Sequence, residues 1–321
     1  MKIIAPSVEI MRTGLETGVF TPEAFIEKVG RTCYKSEDKI TDDSATKFVG
    51  NLIKRGHEAM IEHWNLIYSF PSLGEFVDFQ ESKLSMEHIT GIRFHLRLTD
   101  REDDGGNRYT IVSGNMRAWR DYIKAWVDNT GFIPSALFRP IKDYPVFFPE
   151  YQEQAKYITT RRLIPVAVND LEPEERRVHQ NVTVKFICDR GVSHEMVRHR
   201  VASFAQESTR YCNYSNDKFG GEITVIRPSW CEEGSTEYSI WVTGCDRAES
   251  SYFDLLLAGC TPQEARSVLP NSLKTEIIVT MNLNDWDHFF DLRCAATAHP
   301  DMREVAKMAQ CLFEQELSNK E

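Results

Sequence analysis

The sequence predicts a mixed α/β fold: a central sheet flanked by helices, with an inserted α/β subdomain. Three observations lead there. Val182, Val184 and Phe186 alternate with Thr183, Lys185 and Ile187, the period of a half-buried strand. Other apolar residues recur at helical spacing behind recognisable caps. Residues 70–180 carry a pattern of their own between two such blocks. The expected organisation is therefore 1–69 and 181–321 as two parts of one domain, with 70–180 inserted.

The first block reads as helices. Thr21-Pro22-Glu23 is a start signal: a hydroxyl cap, proline at the first helical position, then an acid near the positive end of the helix. Phe25, Ile26, Val29 and Cys33 follow at helical spacing. A second helix is expected from about Asp42 to Arg55, with Gly56 as its stop. Trp64, Leu66 and Tyr68 then alternate with Asn65, Ile67 and Ser69, which predicts a strand.

In the middle block, Ile92, Phe94, Leu96 and Leu98 alternate with polar residues, and Gly105-Gly106 turns the chain toward Tyr109-Thr110-Ile111-Val112. That is a hairpin. A helix is expected from Asn115 to about Asp128, then a loop-rich stretch marked by four prolines between 134 and 149. No tandem repeat is visible.

In the last block the strand at 182–188 leads to a helix expected over 193–199 and then to the polar run from Ser203 to Tyr211. A helix at about 247–258 stops at Gly259. Thr261-Pro262-Gln263-Glu264 is a capping box. A strand from Thr275 to Met281, a helix from about Asp285 and a final helix opened by Pro300 complete the chain.

Composition narrows the function. Hydrophobic residues at 41 % and charged residues at 27 % are those of a globular protein with a substantial core. No run approaches the roughly 20 apolar residues of a membrane span, and the N-terminus has no apolar stretch fit for a secretory signal. The expectation is a soluble, cytoplasmic protein with no membrane partner. The eight cysteines contain no Cys-x-x-Cys pair and no zinc-finger spacing, so they read as reduced thiols and no metal is expected. A net charge of −10 argues against a nucleic-acid partner. It leaves room for a small anion held by local arginines.

Those arginines are 198, 200, 210, 266 and 293, each beside a helix end or a strand-helix junction. Their planar donors suit phosphate and carboxylate. Taken singly, each reads best as surface charge. Arg198-His199-Arg200 followed by Ser208 and Arg210 reads equally well as an anion or nucleotide site. No Gly-x-Gly-x-x-Gly element follows a strand, and there is no Walker loop and no Gly-x-Ser-x-Gly elbow.

Arg198-His199-Arg200, seven residues, then Ser208 resembles the signature of the flavin-dependent thymidylate synthase family, continued here by Thr209-Arg210-Tyr211. Other elements resemble that family in the same order. They are Gly56-His57-Glu58 through Glu62-His63, Ala265-Arg266-Ser267-Val268-Leu269-Pro270, Thr280-Met281-Asn282, His288-Phe289-Phe290-Asp291-Leu292-Arg293, and Ala298 to Glu304. The resemblance covers 20–69 and 180–317. It implies reductive methylation of dUMP to dTMP, with 5,10-methylenetetrahydrofolate as carbon donor, FAD as hydride carrier and NADPH as reductant. It also implies a homotetramer whose active sites lie between subunits.

Residue by residue, the resemblance assigns Arg198, His199 and Arg200 to the flavin, with Asn282 and His288 as further cofactor contacts. Glu195, Gln206, Glu207, Ser208, Arg210 and Arg266 fall at dUMP positions. Arg293 matches the arginine on the uracil, and His63 a histidine near the flavin, folate and NADPH site; these two are the expected catalytic pair. The residues also allow a duller reading, with His63 and His288 as packing groups and Asn282 as a strand terminator.

The chain departs from the family pattern in three places. Ala205-Gln206 replaces Asn-Glu, Asn282-Leu283-Asn284 lacks the arginine of an Asn-x-Arg element, and about 110 residues separate His63 from the strand at 182–188. Asn115-Met116-Arg117 has the missing Asn-x-Arg order, so Arg117 is a candidate for the lost basic contact. A peripheral or interface role for 70–180 is the simpler expectation. A catalytically altered nucleotide- or flavin-binding relative is the alternative function.

Overall fold

The computed structural model describes residues 1–12, 21–71, 96–102, 105–106, 108–159, 163–210, 212–216 and 219–318. Tyr211 and the 92–95 part of the expected strand at 92–98 lie outside them. The chain opens not with helices but with two short strands, β1 (Lys2–Ile4) and β2 (Ser7–Met11). Then come α1 (Pro22–Tyr34) and α2 (Ser44–Lys54). Thr21 caps α1 by accepting the Ala24 N–H at 3.2 Å. Gly56, at φ +70°, lets the chain turn back beyond α2, a conformation that costs residues with a Cβ.

A 3₁₀ turn, Glu58–His63, leads into β3 (Asn65–Pro71). The middle block supplies β4 (Arg97–Glu102), β5 (Arg108–Asn115), α3 (Met116–Thr130), short helical turns, β6 (Ile164–Pro165) and α4 (Pro173–His179). Its hairpin is present as expected, with Glu102 opposite Arg108.

Beyond it lie β7 (Asn181–Asp189), α5 (Arg190–Met196), β8 (Ser203–Gln206), β9 (Thr224–Ile226), α6 (Thr236–Leu257) and α7 (Pro262–Ala265). The last elements are β10 (Lys274–Asn282), α8 (Leu283–Arg293) and α9 (Pro300–Ser318). Three differences from expectation have identifiable causes, two of them local. Helix α5 begins at 190 because Asp189 accepts the Val192 N–H at 2.7 Å. Helix α6 starts far earlier because Ser235 caps it, accepting the Tyr238 N–H at 3.0 Å. Half of the polar run at 203–211 is a strand, held by backbone pairing with β10 and not by apolar alternation.

The fold is mixed helix and sheet, as expected. Among the described residues the sheet content is divided between two four-stranded antiparallel sheets, ordered β8-β10-β7-β2 and β4-β5-β3-β6, plus a parallel β1-β9 pair. The two large sheets repeat one plan. In each, a strand that starts at asparagine pairs with a later strand that ends at asparagine: Asn65 with Asn115, and Asn181 with Asn282. Each second asparagine caps the next helix, accepting the N–H three residues on at 2.8 Å. Four residues on from each stands a fully buried tryptophan, Trp119 or Trp286. A repeat is thus present where none was legible. It is written in backbone pairing and caps, which tolerate almost any other side chains.

The alternation along β7 and β10 sorts their side chains. Val184, Phe186, Ile277 and Val279 enter a core with Trp286, Phe289 and Met302 from α8 and α9. The opposite face carries Thr183, Lys185, Glu276 and Thr280. A second core joins Phe25, Trp64, Tyr68, Trp119, Phe147, Ala205 and Ile278. Residues from 70–180 therefore pack in one core with those of the first block.

Candidate active site

At the C-terminal end of α5 the chain turns through Arg198-His199-Arg200, and the end of α8 brings Arg293 to it. Arg293 donates Nη1–H to Glu195 Oε2 at 3.0 Å, Nη2–H to the Glu195 carbonyl at 2.9 Å and Nε–H to His199 Nε2 at 2.9 Å. Three of its five N–H donors hold it in place; two remain. Burial first, then the Arg293 charge and His288, push His199 down to about 4. His199 is therefore a neutral acceptor at physiological pH. His288 is exposed, with its ring edge-on to His199 at 6.2 Å between centroids. Arg198 is exposed.

Arg200 opens onto a cavity of about 310 Å³ lined also by Arg97, Arg117, Glu62, Asn181 and Thr280. Three elements distant in sequence thus place three guanidiniums on one space. Arg97 pairs with Asp285 at 2.5 Å and Arg117 with Glu62 at 2.6 Å. Arg200 has no ion pair among the described residues. Asn181 Oδ1 is buried with no hydrogen-bond partner among the described residues. The block 70–180 supplies two of these arginines, a role that the expectation of a peripheral subdomain did not include. Asn284 accepts from Arg177 Nε at 3.1 Å, and Arg117 stands at the matching position, two residues after the cap asparagine, beside the β4-β5-β3-β6 sheet.

His63 lies behind this cavity. It is 2 % exposed, and its Nδ1 is 2.7 Å from the Thr280 hydroxyl, which is 2.8 Å from that of Thr183. Burial pushes it down to about 3, with the Phe204 carbonyl only partly offsetting. The ring is neutral, and Thr280 is the group that meets the cavity.

A second pocket, of about 270 Å³, has Arg266 and Thr209 on its wall, and Arg266 Nη1 donates to the Thr209 hydroxyl at 3.1 Å. Ser208 and Arg210 flank Thr209; the Ser208 hydroxyl accepts the Arg210 N–H at 3.4 Å. Arg190 also lines this pocket and stands outside the motifs that carry the resemblance. Arg97 and Asn181 were likewise missed, since only the tertiary fold sets them beside Arg200.

Three expected contacts are engaged inside the fold. Gln206 donates from Nε2 to the hydroxyls of Ser193 at 2.8 Å and Thr275 at 3.2 Å. Glu207 is buried, its carboxylate accepts from Lys274 Nζ at 2.9 Å, and its N–H donates to the Glu276 carbonyl. A buried carboxylate needs such a cation, which turns Glu207 inward from the expected substrate side. Asn282 caps α8 and donates to the Val178 carbonyl at 3.0 Å, a structural role at a position expected to meet the cofactor.

All eight cysteines are free thiols. Burial pushes Cys33 and Cys212 up to about 12 and Cys245 to about 11, which leaves them protonated and unreactive. Among the described residues no group of three or more His, Cys, Asp or Glu side chains is arranged to hold a metal, and no helix is long and apolar enough to cross a membrane.

Residues 152–317, just over half of the chain, match the family model described as thymidylate synthase complementing protein. The chain belongs to that family. The match takes in the whole Arg-His-Arg element, both sides of the Arg266 pocket, and Arg293. Curated proteins named flavin-dependent thymidylate synthase are similar to about a third of the chain. The one from Pyrococcus furiosus is 37 % identical over 119 residues, 37 % of this chain and 48 % of the relative. That from Geobacter sulfurreducens is 35 % identical over 117 residues, 36 % and 49 % of the two chains. That from Saccharolobus solfataricus is 35 % identical over 117 residues, 36 % and 43 %. The chain thus spans about half the length of the curated relatives it matches.

Proposed function

We propose that this chain is a flavin-dependent thymidylate synthase that converts dUMP to dTMP, with 5,10-methylenetetrahydrofolate as carbon donor, FAD as hydride carrier and NADPH as reductant. The observation that carries the reading is Arg293 locked to Glu195 and His199 within the Arg-His-Arg element of a family member.

The residues fit a flavin dinucleotide. Arg97, Arg117 and Arg200 offer fixed positive charge suited to a pyrophosphate, and the orphaned Asn181 Oδ1 is an acceptor that a ligand N–H or O–H satisfies. When bound, the flavin supplies the hydride, so no cysteine nucleophile is needed. Arg266, Ser208, Thr209 and Arg210 hold the nucleotide phosphate. Glu195 and His199 orient Arg293, whose charge stabilises the negative charge that develops on the pyrimidine ring; a preoriented donor in a half-buried site is worth far more than one in water. His63, neutral and buried, orients Thr280 at the cavity wall.

The protein works as a homotetramer with active sites between subunits, in the cytoplasm and without a nucleic-acid partner. Val197 and Val201 are 43 % and 49 % exposed on either side of the Arg-His-Arg element. Helix α6 has only Cys245 and Tyr252 buried along 22 residues, and Ile240 is 68 % exposed. These apolar surfaces suit further copies of the chain, and light scattering of the purified protein tests the assembly.

Tritium release from uracil-5-labelled dUMP, with FAD, NADPH and methylenetetrahydrofolate each omitted in turn, tests the reaction. Release that needs all three, with dTMP formed, is expected. A yellow protein that retains tritium supports the second reading, a catalytically altered relative, which the inward-facing Glu207 and Asn282 favour. A colourless protein that FAD cannot reconstitute overturns both.

A further inference from the structure

We propose that the chain carries a second copy of its sheet unit in place of a neighbouring subunit, so that both walls of the arginine cavity at Arg200 come from one chain and each chain binds one flavin dinucleotide there. The proposal rests on the flavin reading above. Contacts between subunits then add to a flavin site whose two walls are already built.

The two four-stranded sheets correspond strand for strand. β3 and β5 pair at the centre of one, β7 and β10 at the centre of the other. β4 lies outside β5 as β8 lies outside β10, and β6 outside β3 as β2 outside β7. The register matches as well. Ser113 and Thr280 each stand two residues before the cap asparagine, opposite Arg97 and Ser203 on those outer strands. His63 and His179 each stand two residues before the asparagine that opens the central strand. His63 Nδ1 lies 2.7 Å from the Thr280 hydroxyl and His179 Nδ1 2.7 Å from that of Ser113, and all four residues are buried. Each histidine therefore reaches into the other copy's sheet. Reciprocal contacts of this kind mark a twofold interface between identical subunits, and here they join two parts of one chain. Ala205 and Ile278 of the second copy share one core with Trp64 and Trp119 of the first, so the pairing is built into the fold.

The cavity lies between the copies. Glu62, Arg97 and Arg117 belong to the first, and Asn181, Arg200 and Thr280 to the second. The match of the copies also defines a counterpart place, where Asn284 and Asp285 stand for Arg117 and Ala118. That place is closed to an anion. Asp285 brings a negative charge to the start of α8 and is paired with Arg97, while Asn284 and Asp287 are engaged by Arg177. Among the described residues, the duplication thus gives one open anion cavity per chain and not two.

Arg117→Ala and Arg200→Ala variants test the proposal, because the two arginines stand on opposite walls. Each variant alone should weaken FAD binding about tenfold in a fluorescence titration, with circular dichroism unchanged. The two variants are then coexpressed with different affinity tags, and assemblies that carry both tags are isolated. Walls from one chain leave a defect in every site. The mixed assemblies should therefore show no wild-type affinity, and the wild-type protein should hold one FAD per chain. Walls shared between chains would instead bring an intact Arg117 to an intact Arg200 in some of the mixed sites. Wild-type affinity in a fraction of those sites overturns the proposal and leaves the flavin reading standing. Two FAD per chain, or no loss in either single variant, does the same. If the wild type holds FAD but the tags never copurify, no second chain shares the site and the proposal holds. A wild type that FAD cannot reconstitute overturns the flavin reading together with the proposal.

Discussion

Arg293 donates its Nε–H to Nε2 of His199, a bond that exists only while that ring nitrogen carries no proton. With His199 lowered to about 4, the folded state binds fewer protons than the unfolded chain between that value and the ordinary histidine value near 6.5. Stability is therefore complete above about pH 6.5 and is lost as pH falls toward 4. His63, at about 3, and His179, buried against Ser113 and Thr99 and lowered to about 4, act with the same sign. Each contributes roughly 1.4 kcal/mol per pH unit inside its window. Urea midpoints should fall steeply from pH 7 to pH 5, and His179→Gln should reduce the slope. A midpoint flat across this range contradicts the assignment.

Replacing Arg293 removes both the charge and the group that occupies Glu195 and His199. Arg293→Ala should lower kcat by about 10²–10³. Arg293→Lys should not restore it, since one ammonium cannot reproduce donors to two groups of Glu195 and to His199. Glu195→Gln should be milder, because the Glu195 carbonyl still accepts from Nη2. A lysine variant with full turnover would show that only the charge matters.

Arg117 should matter to the flavin. Arg117→Ala is expected to weaken FAD binding about tenfold, read by flavin fluorescence titration, with a smaller salt dependence than the wild type. Glu62, its partner at 2.6 Å, holds part of the charge, so Glu62→Gln should tighten FAD modestly. Unchanged FAD affinity in Arg117→Ala removes Arg117 from the flavin site.

Glu276 anchors a buried ion cluster on the polar face of β10, where Lys274, Lys185 and Lys35 surround it. Burial opposes ionisation, but Lys274 and the hydrogen bonds of all three lysines outweigh it and hold the carboxyl down at about 2. Its contribution is present above about pH 4.3 and is lost as pH falls through 2. Glu276→Gln leaves Lys185 with no carboxylate partner among the described residues and removes one of two from Lys274 and Lys35, and should cost about 3–5 kcal/mol by urea denaturation. A loss under about 1 kcal/mol would mean that water already screens the cluster.

Much of the element content was legible. Thr21, Asn115 and the Thr261–Glu264 box mark helix starts because capping is local chemistry between neighbours. Strands β7 and β10 were legible because one face of each enters an apolar core. Strand β8 was not, because its pairing with β10 is a backbone event 70 residues away. The same holds for the repeated sheet plan, which few side chains record. In the site, Arg198–Arg200, Arg266 and Arg293 stood out by motif, while Arg97 and Arg190 looked like ordinary charges.

Sequence alone determined the mixed fold, the helix starts and the Arg-His-Arg element, since periodicity, caps and motif spacing act over a few residues. Only the tertiary structure decided which charges meet. It set Arg97 and Arg117 on the cavity of Arg200, placed Arg190 across from Arg266, and turned Glu207 and Asn282 inward. Those outcomes depend on sheet register and on where buried charges find partners, and both are long-range consequences of pairing strands far apart in the chain.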